Sequence, residues 1–304
     1  MRYFDLHCDT LYRHLADNLA LTDPKLHIPL LNHNLFEYWT QCFAIWIPDD
    51  RSIDESLLLF DRAATIFMNE LSDLGFALNK INTKLNAIFC VEGGRLIGED
   101  VKKISYLASH GVKMLTLTWN GDNAIACGAL TSKDTGLTAF GKKALRELEN
   151  HNIIVDVSHL SDKSFFDVAE AALCPFVASH SNSRKVCRNK RNLTDEQFAI
   201  IKNNSGLVGL NFHKDFLCAD GNAGIDDIIK HCEHFLSLGG EDILAIGSDF
   251  DGADMPLDIL GISSIPQIYE RFLRLNYSET LLDKLFYANA ENFFETFDNQ
   301  GFLL

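Results

Sequence analysis

Short apolar runs recur along the chain, each giving way to a longer stretch in which apolar positions return every three or four residues. The short runs, at residues 3–7, 42–47, 86–91, 114–118, 153–157, 176–179, 207–211 and 244–247, read as strands. The stretches between them, 54–74, 99–110, 138–151, 161–173, 194–203 and 224–238, carry helical periodicity. Ser161 ahead of Asp162-Lys163 reads as a helix start, and Thr194-Asp195-Glu196-Gln197 as a capping box. Gly111 and Gly239-Gly240 read as helix stops. Residues 278–297 predict two further helices packed on the outside. This alternation predicts an α/β fold: a closed, TIM-type (β/α)8 barrel with extra C-terminal helices, with an open doubly wound sheet as the alternative. No linker, low-complexity tract or short repeat interrupts the pattern, so one domain over residues 1–304 is expected.

The distinction matters because a barrel gathers functional groups from the C-terminal ends of many strands, and here those ends carry metal-ligand types. The first run ends in His7-Cys8-Asp9. Residues two apart in a strand share a side, so His7 and Asp9 project together while Cys8 turns away into packing. Glu92 closes the third run, and Gly93-Gly94 let the backbone turn and leave the carboxylate open to approach. His159 follows the fifth run, His180 the sixth, and Asp249 and Asp251 the eighth. Each alone has an ordinary reading: a capped strand end for His7-x-Asp9, a strand exit for Glu92, an Asx-type turn with Gly252 for Asp251. Asp249, first after its strand, is the better site candidate. Together His7, Asp9, Glu92, His159, His180 and Asp249 suit zinc, manganese or iron, being imidazoles and carboxylates without a thiolate. A single zinc takes about three protein ligands and a water, so this set points to two metals with one carboxylate bridging. His14, His27, His33, His110, His151, His231 and His234 fall in helical or loop segments and receive no role.

Composition narrows the setting. A hydrophobic content of 47% over 304 residues supplies a large core. The net charge of -15 speaks against nucleic acid or an anionic membrane surface as partner. The first residues lack the apolar region of a secretory signal, no run is long enough to cross a bilayer, and residues 299–304 are too short for a lipid-anchor signal. A cytoplasmic location is expected. The eight cysteines form no C-x-x-C pair, and most lie in apolar segments as reduced, buried thiols. The basic stretch 184–191 reads, on its residues, as a solvated loop.

The motifs together resemble the membrane dipeptidase (renal dipeptidase) family of zinc metallopeptidases, in a soluble, bacterial-type member. The resemblance begins at Asp5-Leu6-His7-Cys8-Asp9-Thr10 and includes Val91-Glu92-Gly93-Gly94, Leu115-Thr116-Leu117-Thr118 and Val155-Asp156-Val157-Ser158-His159-Leu160-Ser161-Asp162. It continues through Ala178-Ser179-His180-Ser181-Asn182-Ser183, Arg191-Asn192-Leu193-Thr194-Asp195-Glu196, Gly209-Leu210-Asn211-Phe212 and Gly247-Ser248-Asp249-Phe250-Asp251-Gly252. It implies a metal-dependent hydrolase barrel with a binuclear zinc centre: His7 and Asp9 on one zinc, His159 and His180 on the other, Glu92 bridging. A site of this type also accepts manganese or cobalt. Asp249 matches the aspartate that handles the proton, and Arg191 an arginine that binds the substrate's carboxylate.

Two positions depart from the best-known animal pattern. Trp119 stands where a histidine contacts the scissile group, offering an apolar wall or an indole N–H instead, and His213 stands where a tyrosine lines the substrate pocket. The resemblance therefore implies dipeptide hydrolysis by a metal-activated hydroxide, with a C-terminal D-residue and a homodimer left open. The alternatives are a hydrolase of the same barrel type acting on a lactone, cyclic amide or other small amide or ester, and a non-catalytic metal- or small-molecule-binding protein.

Overall fold

The computed structural model describes residues 1–31 and 34–300; His33 and the C-terminal residues 301–304 lie outside the described residues. The strands are β1 (Tyr3–Cys8), β2 (Trp39–Trp46), β3 (Ala77–Leu78), β4 (Leu85–Glu92), β5 (Met114–Thr116), β6 (Ile154–Asp156), β7 (Val208–Leu210) and β8 (Leu244–Ile246). All pair in parallel, in the order β6-β5-β4-β2-β1-β8-β7, with the two-residue β3 added beside β4. Residues 177 and 178 close the gap between β6 and β7. Val177 N–H donates to Val155 O at 2.9 Å and Val157 N–H to Val177 O at 2.8 Å; Ala178 N–H donates to Leu207 O at 2.9 Å and Gly209 N–H to Ala178 O at 2.8 Å. The ring is thus complete, and the open doubly wound sheet is excluded. All the apolar runs read as strands lie on this ring.

Most helices fall where periodicity places them: Ile53–Asp73, Ala139–Asn150, Asp162–Ala171, Asp195–Asn203 and Ile225–Ser237, while the helix expected from residue 99 starts later, at Lys102–Ser109. The capping box forms as expected, Gln197 N–H to Thr194 Oγ1 at 3.2 Å and Thr194 N–H to Gln197 Oε1 at 2.8 Å. Three helices, Thr10–Asp17, Lys214–Leu217 and Ile265–Arg274, are additional. The first is too short to show a periodicity and begins straight after the His7-x-Asp9 motif. Among the described residues no helix is long and apolar enough to cross a membrane.

Alternation sorts the core into two layers. Phe4, Leu6, Cys42, Ala44, Ile88, Cys90, Met114, Ile154, Val177 and Ala245 fill the barrel. The residues between them, among them Tyr3, Phe43, Ile45, Phe89, Val91, Leu115 and Val155, pack outward against the helices. The C-terminal segment is not on the outside as expected. Tyr287, Ala290, Phe293, Phe294 and Phe297 join the interior layer. Phe4 meets Phe294 and Tyr287 at ring distances of 5.2 and 6.2 Å. A single π turn at Lys284–Ala288 and the helix Asn289–Gln300 therefore stop the N-terminal end of the barrel. A floor lined by Phe4 has to be covered, and aromatic rings bury the most area per residue.

Two irregularities at the opposite, C-terminal end shape the site. In the β1–β2 register Asp5 faces Gln41, but Cys8 faces Phe43. Leu6 and His7 thus share the single partner Cys42, a β-bulge. Under strict alternation His7 would point outward with Tyr3 and Asp5; the bulge turns His7 and Asp9 into the barrel mouth. Asp5, fully buried, holds this arrangement. Its Oδ1 accepts His7 N–H at 3.3 Å and Ser248 N–H at 2.8 Å, and its Oδ2 accepts Ser248 O–H at 2.6 Å and Tyr3 O–H at 3.1 Å.

The second irregularity is at Ser179, whose backbone leans into the barrel. A Cβ on Gly209 or Gly247 would lie 1.9 or 1.8 Å from Ser179 O, so both positions admit glycine alone. We expect Gly247→Ala to destabilise the fold by at least the roughly 1–3 kcal/mol of an overpacked core, read as a lower urea midpoint, with metal binding impaired. An unchanged midpoint would show that the Ser179 backbone is free to retreat.

Candidate metal centre

The turned-in end of β1 brings His7 and Asp9 up to Glu92, at the end of β4, and to His159, His180 and Asp249 on the loops beyond. His7 Nε2 lies 3.3 Å from Asp9 Oδ2, 3.7 Å from Glu92 Oε2 and 4.0 Å from Asp249 Oδ1. The other oxygen of Glu92, Oε1, lies 2.7 Å from His159 Nε2 and 3.6 Å from His180 Nε2. Glu92 therefore turns one oxygen to His7 and the other to the two later histidines. His7, Glu92 and His180 offer donor atoms all within 4.8 Å of one another, and so do His7, Asp9 and Asp249. All the expected ligand residues and Asp249 are brought together.

The backbone at these positions is strained. His159 and Asp249 have φ of +69° and +64°, and Asp251 has +67°, a region that side chains larger than glycine's rarely occupy. Hydrogen bonds hold the strained ends. Asn120 Oδ1 lies 3.0 Å from His159 Nδ1, which leaves Nε2 aimed at Glu92. Asn211 Nδ2 donates to Asp249 Oδ2 at 2.9 Å, and Asp9 N–H to Phe250 O at 2.9 Å. A Cβ at Gly252 would lie 2.0 Å from Asp9 Oδ2. Strain of this kind persists only where the surroundings over-determine it, and it clusters at functional sites.

Electrostatics set the character of the cluster. Burial, then the charge of Asp9, pushes Glu92 up to about 8. Burial raises Asp9 as well, against the pull of His7. Burial works against the His7 imidazolium, but Asp9 and Glu92 outweigh it and hold its proton well above the usual range. His159 and His180 are pushed well down, by burial first and then by neighbouring positive charge. Carboxyl groups and imidazoles thus crowd together in a buried pocket. His7 Nε2, His180 Nε2 and Asp9 Oδ1 are buried without a hydrogen-bond partner. Buried polar atoms are seldom left so, and this donor set of nitrogen and oxygen fits divalent cations.

The cluster opens into a cavity of about 330 Å³ lined by Tyr12, Arg13, Trp46, Trp119, His213 and Phe216, among others. Tyr12, Trp46 and Trp119 form one wall, with ring distances of 4.7 and 4.8 Å. His213 caps the short helix Lys214–Leu217, its Nδ1 accepting Asp215 N–H at 3.3 Å. Arg191 is buried, with Nε and Nη2 lacking any partner. Burial lowers its proton affinity to about 10 despite the opposing charges of Asp249 and Glu92. Its guanidinium stands 5.4 Å from the Phe216 ring.

Several sequence readings change here. The basic stretch is a solvated loop only in part, with Lys185, Arg188 and Lys190 exposed. Arg184 forms a two-pronged pair with Asp162, both contacts 2.8 Å, and donates from Nε to Asn192 O at 2.7 Å, while Arg191 turns inward. Asp251 is not simply a turn with Gly252: it accepts Thr10 O–H at 2.6 Å and His27 N–H at 2.7 Å, and its own N–H donates to His27 Nδ1 at 2.8 Å. Trp46 and Asn211 end or follow strands too, but are not ligand types, so a search for metal donors passes over them. His231, assigned no role, accepts Ser183 N–H at 3.0 Å and faces Leu217 O at 3.0 Å. It ties the segment after His180 to the helix beside the cavity.

The chain is similar to known proteins in both sequence and fold. The sequence profile described as membrane dipeptidase (peptidase family M19) matches residues 1–300. A Klebsiella pneumoniae protein of the pqqA 5′ region is 34% identical over 209 residues, 66% of this chain and 77% of that protein. An uncharacterized dipeptidase of Schizosaccharomyces pombe is 29% identical over 229 residues, 73% of this chain and 55% of that protein. The crystal structure of a Rhodobacter sphaeroides metallo peptidase, liganded with a phosphinate mimic of the dipeptide L-Ala-D-Ala, superposes with a TM-score of 0.89 at 26% identity, covering 97% of this chain and 99% of that one.

The two-sided bonding of His231 requires its neutral form. Burial first lowers it from 6.5 to about 4, with His234 and Lys230 adding to the effect and Leu217 O and Asp227 opposing it. The unfolded chain binds this proton more readily, so its contribution to stability is complete above pH 6.5 and is lost as pH falls towards 4. In urea titrations His231→Gln should lose less stability than the parent over that interval; parallel pH curves would show that His231 is not linked to folding.

Proposed function

This chain belongs to the membrane dipeptidase family, peptidase family M19, and is a hydrolase of the metallo-dipeptidase class; from that premise we propose that it cleaves dipeptides with two zinc ions and accepts a D-residue at the C-terminal position. The split of Glu92 carries the two-metal reading: Oε2 towards His7, Oε1 towards His159 and His180. His7 and Asp9 would hold one ion, His159 and His180 the other, with Glu92 between them. Manganese or cobalt would serve in zinc's place. The phosphinate mimic of L-Ala-D-Ala bound by the Rhodobacter sphaeroides relative supports the substrate class.

Bound there, the cations would supply a Lewis acid for the scissile carbonyl and acidify the attacking water. The chain's own groups do the rest. Asp249, steadied by Asn211, takes the proton of the attacking water and returns it to the leaving amine. Arg191 receives the substrate's C-terminal carboxylate. Its free Nε and Nη2 make a planar fork that matches a carboxylate with two charge-assisted bonds. A fixed cation at one end and a fixed centre of chemistry at the other select for length, because a longer peptide would carry its carboxylate past the fork. Trp46 and Trp119 offer an apolar wall, and His213 lines the same cavity. A lactone or cyclic amide would leave the buried fork of Arg191 unsatisfied, which disfavours that alternative.

A hydrolysis screen over L–L and L–D dipeptides, with metal content measured on the same sample, tests the proposal. Turnover of dipeptides with two zincs per chain is expected; a zinc-loaded protein inert to all of them would overturn it. Two substitutions separate the roles. Asp249→Asn should lower kcat by roughly two to four orders of magnitude with both metals retained. Arg191→Ala should act mainly on KM, and a KM like the parent's would place the carboxylate elsewhere.

A further inference from the structure

Asp156 lies at the end of β6, fully buried, and dipeptide hydrolysis as described leaves it without a task. Four donors converge on it. Its Oδ1 accepts Ser158 N–H at 3.0 Å and Ser179 N–H at 2.9 Å. Its Oδ2 faces Thr116 Oγ1 and Ser179 Oγ, both at 2.6 Å. The two backbone groups can only donate, and they fix which oxygen faces the hydroxyls. Asp5 makes the same pattern one face away, towards His7 N–H, Ser248 N–H and Ser248 O–H. The two differ in the residue next to the serine. Ser248 precedes a carboxylate, Asp249, whereas Ser179 precedes an imidazole, His180.

Ser179 Oγ stands 2.7 Å from His180 Nδ1. A hydroxyl has one proton to give. The Asp156 carboxylate can only accept, and it is the closest acceptor to that oxygen. Ser179 therefore gives its proton to Asp156 and must accept from His180, which places the imidazole proton on Nδ1. The lone pair is then on Nε2, the buried nitrogen that has no other partner and lies 3.6 Å from Glu92 Oε1. Ser158 Oγ, at 3.4 Å from Ser179 Oγ, is a weaker competitor and is already engaged as acceptor of His180 N–H at 3.1 Å.

We propose that Asp156 is a positioning residue that, through the Ser179 hydroxyl, sets the tautomer of His180 and so makes its Nε2 available to a metal. The inference rests on the reading of His180 as a ligand. His159 obtains the same tautomer directly, from the Asn120 carbonyl, so the two imidazoles on the Oε1 side of Glu92 are oriented by independent partners. Outer partners of ligand histidines act in this way by fixing tautomer and ring orientation.

In Asp156→Asn the two backbone donors keep the amide oxygen where Oδ1 was, and the NH2 turns towards Thr116 and Ser179. The Ser179 hydroxyl then accepts from the amide, and His180 Nδ1 becomes the nearest acceptor for its proton. The tautomer should shift towards Nε2–H, which cannot ligate. Long-range 1H–15N spectra of the metal-free protein read this directly, with His180 signals identified by their absence in His180→Gln. The parent should show protonated Nδ1, and Asp156→Asn a shift towards protonated Nε2. By chelator competition, one of the two zincs should bind roughly 10–100-fold more weakly in the variant, the other unchanged.

Ser179→Ala should produce a mixed tautomer, and adding Asp156→Asn to it should cause no further loss at that zinc. This variant also carries the test if Asp156→Asn fails to fold. A parent with protonated Nε2, a tautomer indifferent to both substitutions, or equal weakening of both zincs that persists in the Ser179→Ala background would each overturn the proposal. Retention of two tightly bound zincs in His180→Gln would instead sink the ligand assignment, while the tautomer measurement stands apart from it.

Discussion

The inward turn of His7 is the constraint on which the rest of the site depends. An extra residue between Asp5 and Cys8 shifts β1 against β2, and the side chains beyond it change face. His7 then belongs to both groups of converging donors, one with Glu92 and His180 and one with Asp9 and Asp249. A bulge leaves a ladder position unpaired, and Asp5 answers that by accepting the N–H of His7 itself. The same carboxylate grips Ser248, so the two strand ends that carry His7 and Asp249 are fastened through one buried group.

The chemistry of the mouth comes with local instability. Carboxylates crowd together away from water, histidines stand with bare nitrogens, and Arg191 is buried with part of its guanidinium unpaired. None of these would be retained in a core selected for stability alone. The barrel tolerates them because the load is borne elsewhere: two continuous apolar layers below, and an aromatic stopper across the far end. Left-handed backbone at His159 and Asp249 belongs to the same pattern, in which the scaffold holds side chains in place before a ligand arrives.

Much of the fold is legible in the sequence because it rests on local signals. Apolar runs mark every strand of the ring, and capping residues and glycines mark helix ends. The donor cluster at the mouth is legible because donor types stand at strand termini, where a barrel concentrates them. Residues 278–297 are misplaced by the same reasoning because an amphipathic segment does not state which surface it will cover; the floor opened by Phe4 decides that. The basic stretch misleads for a related reason. Charge suggests solvent, and nothing near Arg191 in the chain shows that its neighbours will be Phe216 and the acids of the mouth. Trp46 and Asn211 escape notice because their contributions, a wall and a hydrogen bond, need a partner from another strand to exist.

The sequence by itself determined the alternation of strand and helix, the types of donor side chain and the order in which they appear, because periodicity and residue chemistry are properties of a chain before it folds. Which way those donors face was left to the tertiary structure. A one-residue offset in register reverses every later side chain, and that offset arises from pairing with β2 and from the grip of Asp5, not from any local preference. The same holds at Ser179, which leans inward only because Gly209 and Gly247, far along the chain, leave the space.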